Sequence, residues 1–200
     1  MPYNRFTLSQ AKERLQLQTD ETKDLFSSVE EVKISDFLVQ FLEENVPLAL
    51  AINTEKAKSE IIIAPILLEL RKLAPPPISL FSGCPFNVDK EKGLTGTCDF
   101  IICRSPEQYF VTAPVITVAE AKNDNIHNGL GQCVAEMFAA KLFNERGENG
   151  IASIYGAVTT GSAWRFLKLV DGTVYIDLKE YHISHTGKIL AILLRMIQNS

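Results

Sequence analysis

The chain has 200 residues, 46% of them hydrophobic and 22% charged, which is the profile of one folded domain rather than a disordered or fibrous segment. Its formal net charge of −4 excludes a protein that grips nucleic acid through bulk positive charge, although a local basic groove remains compatible with it. The apolar run Ile61-Ile62-Ile63-Ala64-Pro65-Ile66-Leu67-Leu68 is too short for a membrane span, and the start, Met1-Pro2-Tyr3-Asn4-Arg5-Phe6, lacks the apolar core of a secretion signal. The expectation is a cytoplasmic protein whose Cys84, Cys98, Cys103 and Cys133 are reduced and mostly buried.

In chain order, the N-terminal third reads as helix. Leu8 to Leu17 forms a short amphipathic segment capped by Thr7 or Ser9. Ser35 caps a longer helix in which Phe37, Leu38, Phe41 and Leu42 recur at helical spacing. A third helix opens at Asn53 or Thr54 and runs through Glu60 towards Leu73. Pro65 cannot donate to the Ile61 carbonyl, so a kink or break is expected there. Pro75-Pro76-Pro77 ends the helical region.

The period then changes. Ile78 to Phe81, Gly96 to Cys103 and Pro114 to Ala121 read as strands, the last two apolar on both faces and hence covered on both sides. Gly129 to Asn144 returns to helix. Strands follow at Ile151 to Thr159, Trp164 to Leu169 and Thr173 to Leu178, the last two joined by the hairpin signal Asp171-Gly172. Gly187 to Gln198 closes the chain as a helix. This order predicts an α/β fold, a central mixed β-sheet flanked by helices, in a single domain. Residues 1–53 form an N-terminal helical extension and residues 54–200 the α/β core.

Three charged residues emerge from apolar strands, where a buried charge is costly unless compensated. Asp99 lies on the second strand of the middle region; Glu120 and Lys122 end the third, as Val118-Ala119-Glu120-Ala121-Lys122. Residues i and i+2 share a strand face, so Glu120 and Lys122 are neighbours, while Ala119 and Ala121 face the other way. A hairpin connection brings Asp99 beside them. Two carboxylates suit Mg²⁺ or Mn²⁺, which accept phosphate oxygens, and an adjacent ammonium can orient an attacking water or stabilise charge developing on phosphorus. Glu60, on the preceding helix, supplies a third carboxylate. Gln132, ten residues beyond Lys122, can donate and accept at once.

Other groups are less informative. His182 and His185 have no cysteine pair near them and do not make a zinc site. Cys133 with His127 could form a nucleophilic pair, but nothing marks an oxyanion hole. The polar run Asn123 to Asn128 follows Lys122 directly and could line a cleft or simply lead into the next helix. Arg165 and Lys168 are candidate phosphate contacts or surface charges.

Together, Gly96-Thr97-Cys98-Asp99, Glu120-Ala121-Lys122 and Gln132 within Gly131-Gln132-Cys133-Val134-Ala135-Glu136-Met137 make the chain resemble the PD-(D/E)XK nuclease superfamily. The resemblance spans roughly residues 55–170 in element order, with Cys98 at the place of the motif's nominal proline. It implies a restriction-endonuclease-like α/β sandwich and divalent-metal hydrolysis of nucleic-acid phosphodiesters, DNA first. By it, Asp99 and Glu120 are metal ligands, Lys122 is the catalytic lysine, and Glu60 and Gln132 are accessory catalytic residues, Glu60 also on the metal. The cofactor is Mg²⁺ or Mn²⁺; the partner is nucleic acid, with no membrane and with a homodimer, through the acidic N-terminal helices, left open. The alternative is an inactive nuclease-fold module that binds nucleic acid or a protein.

Overall fold

A computed structural model describes residues 2–199; of Thr117, Val118 and Glu120 only the backbone is described. Helix α1 (Leu8–Leu15) begins at a capping box: the Gln10 amide donates to the Thr7 hydroxyl, and the Thr7 amide to the Gln10 side chain. Strand β1 (Gln18–Asp20) follows, which the sequence reading did not anticipate. Ser35 caps α2 (Asp36–Ile52) and Thr54 caps α3 (Glu55–Lys58), each hydroxyl accepting an amide of the first turn.

The expected kink at Pro65 takes another form. Ser59–Ile63 is a π-helical turn, in which the Ala64 amide reaches back to the Ser59 carbonyl, and the chain continues into α4 (Ala64–Leu73). A proline removes the donor that the Ile61 carbonyl would need and crowds it; widening the turn by one residue absorbs both effects without breaking the helix.

Strands β2 (Ser79–Pro85), β3 (Thr97–Cys103) and β4 (Val115–Ala121) form an antiparallel meander. Helix α5 (His127–Arg146) then crosses over to β5 (Ile154–Thr159), which lies parallel to β4. Strands β6 (Ala163–Val170) and β7 (Thr173–Ile176) complete a second antiparallel run. Asp171 and Gly172, both at positive φ, supply the tight turn between them, as their sequence signalled. The short β8 (Tyr181–His182) pairs with β6, and α6 (Thr186–Gln198) ends the chain. Beside β8, the sheet order is β1-β7-β6-β5-β4-β3-β2, with β1 parallel to β7.

Both faces of this mixed sheet are buried. Phe100, Ile102, Ala119, Ala121, Ala157, Trp164 and Phe166 pack towards α2, the π turn, α4 and α6. Ile101, Cys103, Val158, Leu167 and Leu169 pack towards α1 and α5. The alternation along β3 follows from the two-residue strand period, and covering both faces explains why the strands read as almost continuously apolar. The molecule is therefore α/β, a mixed sheet flanked by helices. Residues 1–53 contribute a sheet strand as well as helices.

Candidate active site

The β3–β4 pairing ends with Phe100 opposite Ala119. One residue further stand Asp99 on β3 and Glu120 on β4, so the register carries both acids to one end of the sheet. Asp99 is half-buried, and its Oδ2 accepts the Ala121 amide at 2.8 Å. This bond fixes the carboxylate against the end of β4. Burial pushes the Asp99 pKa up; the Ala121 hydrogen bond and the Lys122 charge pull it down, while Glu55 adds to the rise. The net direction is upward: the site makes this carboxylate's negative charge unfavourable. The side chain of Glu120 lies outside the described residues.

Lys122 leaves the sheet at the same end. Its amide donates to the Thr159 carbonyl at 2.8 Å, extending the β4–β5 pairing by one bond. Its Nζ donates to Gln132 Oε1 at 3.3 Å. The stem lies along α5 where Gly129 has no side chain: a methyl there would stand 3.0 Å from Lys122 Cγ and 2.5 Å from Val158 Cγ1. Gln132 itself is buried, and its Nε2 donates to Glu136 Oε1 at 3.0 Å.

The remaining acids come from the helix that precedes the sheet. Glu55, Lys56, Ser59 and Glu60 project at i, i+1, i+4 and i+5 from α3 and the π turn. With Ser82, Gly83, Asp99 and Ala121 they line a cleft of about 360 Å³. Glu60 is exposed there and pairs with Lys56 at 3.1 Å. Glu55, which the sequence reading passed over, lies close enough to Asp99 to oppose its ionisation. An acid in a helix's first turn is ordinary in sequence, so only the cleft distinguishes it.

Behind the cleft, Lys58 is buried and its Nζ donates to the Asn123 carbonyl at 2.6 Å and to its side-chain oxygen at 3.1 Å. This ties the segment after Lys122 to α3. In the polar run that follows, Asn125 Oδ1 takes the His127 amide at the start of α5.

The other candidates are engaged elsewhere. Arg165 bridges to Glu180 at 2.8 Å, and Lys168 sits over the Tyr155 ring. His182 bonds Ser184, whereas His185 faces Glu31 at 3.4 Å, so the two histidines serve different partners. Cys133 is buried with its thiol towards the Ala157 carbonyl, while His127 is exposed. Among the described residues, which exclude the Glu120 side chain, no three His, Cys, Asp or Glu side chains converge as a metal-ligand set. Nor is any helix among them long and apolar enough to cross a membrane.

The structure thus brings Asp99, Lys122 and Gln132 to one sheet end, with Glu60 across the cleft from Asp99. No protein-family model, curated protein or solved structure matches the chain.

Proposed function

We propose that this chain is a divalent-metal-dependent nuclease with a restriction-endonuclease-like fold, acting on DNA. The observation that carries the reading is the convergence of Asp99 and Lys122 at the adjoining ends of β3 and β4, with carboxylates of the preceding helix facing Asp99. The element order supports it too: helix α4, strands β2 to β4, helix α5 and strand β5, with β2 to β5 forming a four-stranded mixed unit.

An acidic cleft repels a phosphodiester unless a cation lies between them. Asp99, Glu60 and Glu55 offer the hard oxygen donors that Mg²⁺ and Mn²⁺ prefer, and the unfavourable Asp99 charge gains from a cation beside it. In this reading Asp99, Glu120 and Glu60 would hold the ion, which would supply Lewis-acid stabilisation of charge developing on the phosphate. The Ala121 amide holds Asp99 in place. Lys122, steered by Gln132, presents an ammonium that can hold the attacking water by a hydrogen bond or neutralise a phosphate oxygen. A cytoplasmic setting belongs to the same reading, since the four free cysteines suit a reducing compartment.

The test is incubation with single-stranded, duplex and branched DNA and with RNA, in Mg²⁺, Mn²⁺ or EDTA, beside Asp99→Ala and Lys122→Ala. Cleavage that requires metal and is lost in both variants is the expected result. No cleavage of any substrate, with no Mn²⁺ binding by calorimetry, overturns the site assignment and leaves a nuclease-fold binding module.

A further inference from the structure

The contacts behind Lys122 do not stop at Gln132. Glu136, one turn further along α5, is completely buried at 0% exposure, and its Oε1 receives the Gln132 side-chain NH₂ at 3.0 Å. A primary amide has two unlike ends, one that only donates and one that only accepts. The Lys122 ammonium only donates, so the Gln132 oxygen alone can serve it. An ionised Glu136 only accepts, so the Gln132 nitrogen alone can then serve it. Both contacts demand the same one of the amide's two orientations. A 180° flip would set donor against donor at Lys122 and acceptor against acceptor at Glu136.

The N-terminal segment covers this stretch of α5. A methyl on Gly131 would stand 2.3 Å from the Phe6 carbonyl oxygen, and Tyr3, held by its hydroxyl to the Phe86 carbonyl at 2.7 Å, is itself buried. Burial first, then Cys98 and Glu136, push the Tyr3 hydroxyl's pKa well above its ordinary value. In such a site a fixed acceptor is worth more than in water, and an amide it orients has little competition from solvent.

We propose that Glu136 is a positioning residue for Lys122: it locks the Gln132 amide so that its oxygen faces the lysine. The kinetic consequence rests on the nuclease reading; the orientation does not. Two variants separate the roles. Glu136→Gln keeps an oxygen acceptor of the same shape, whereas Glu136→Leu keeps bulk without any acceptor.

Against the substrate that the chain cleaves, Glu136→Leu is expected to lower kcat by about 10- to 100-fold, the scale of lost supporting contacts, with KM unchanged. Glu136→Gln is expected to recover most of that loss. Adding Glu136→Leu to Gln132→Met should lower kcat no further, because the first acts through the second. An unchanged kcat in Glu136→Leu overturns the proposal, as does a Glu136→Gln variant as slow as Glu136→Leu.

A second readout needs no turnover. In ¹⁵N NMR, with the Gln132 NH₂ pair assigned by its absence in Gln132→Met, one of its protons should lie downfield of the exposed Gln198 pair. That shift should persist in Glu136→Gln and vanish in Glu136→Leu. If Glu136→Leu does not fold, the wild-type spectrum decides: a Gln132 pair like that of Gln198 overturns the orientation. If no nucleic acid is cleaved, the nuclease reading fails alone, and these signals still judge Glu136.

Discussion

At the scale of single residues, Asp99 sets burial against an amide hydrogen bond and a nearby lysine. Its folded pKa is raised, chiefly by burial, so the folded chain holds a proton over a pH range where the unfolded chain has released it. Stability attributable to Asp99 therefore falls as pH rises from the ordinary carboxylate pKa through the raised one, and above that the ionised group is a net liability. Asp99→Asn keeps an oxygen for the Ala121 amide and removes the charge. It should melt higher than wild type at pH 7, by about 2–4 °C for each kcal/mol relieved in a chain of this size. The gap should close as pH falls below about 4, where both side chains are neutral. Mn²⁺ should raise the wild-type melting temperature more than that of Asp99→Asn, because an ion bound only by the folded state stabilises it. Calorimetry across pH checks each point; a variant that melts lower at pH 7 would make Asp99 a brace for β4 rather than a strained ligand.

Asp99 and Lys122 could be picked out in advance because a charge on an apolar strand is a local departure, whereas Gln132, on a helix, was marked by its two-sided amide and by the family resemblance. Lys58 could not: its partner Asn123 is 65 residues away, and nothing in Lys56-Ala57-Lys58 says which lysine turns inward. Glu136 was hidden likewise, as one more acid on a helix whose sequence shows no clear apolar stripe because most of that helix is buried.

At the scale of elements, caps were the most readable feature, since Thr7, Ser35 and Thr54 each act within three residues of themselves. Pro65 was readable as a disturbance but not in its form. The choice of a π turn over a kink depends on Ile62, Ile63, Ile66, Leu67 and Leu70 all reaching the core from one helix while Glu55 and Glu60 still face the cleft. Strand β1 escaped because Gln18-Thr19-Asp20 is short and polar, and a parallel partner near the far end of the chain leaves no local trace. Helix packing supplies a sharper test. Gly131→Ala should favour α5 by roughly 1 kcal/mol on propensity alone. Its methyl, however, would lie 2.3 Å from both the Phe6 carbonyl oxygen and the Thr7 carbonyl carbon, main-chain atoms that cannot swing aside. Overpacking of about 1–3 kcal/mol or more should win, lowering the melting temperature and loosening α1 from α5. Thermal denaturation with limited proteolysis near α1 reads this out; a stabilised variant would show that the α1–α5 contact gives way easily.

At the scale of the molecule, the N-terminal segment is a clasp as much as an extension. The Tyr3 amide bonds the Thr95 carbonyl, β1 joins the edge of the sheet beside β7, and the Lys23 carbonyl takes the Leu178 amide. The Leu25 amide reaches the wholly buried Asp177 carboxylate at 3.1 Å, which also receives the Tyr181 hydroxyl at 2.9 Å. These ties run to both ends of the strand order and to both faces, so the segment should unfold with the core rather than before it. The intact chain is expected to melt in one transition, coincident by near- and far-ultraviolet circular dichroism. Removing residues 1–20 deletes β1 and strips the cover from α5, where Leu130 and Val134 share a core with Tyr3, Phe6, Ala11, Leu15 and Leu17. The four large side chains among these, at about 1.5–3 kcal/mol each, together match the margin of roughly 5–15 kcal/mol of a typical domain, so the truncated chain should lose cooperative melting and expose its α5 face. A truncated chain that still melted sharply, within a few degrees of the intact one, would show that the core from α2 to α6 folds alone and that the clasp serves only the site beneath it.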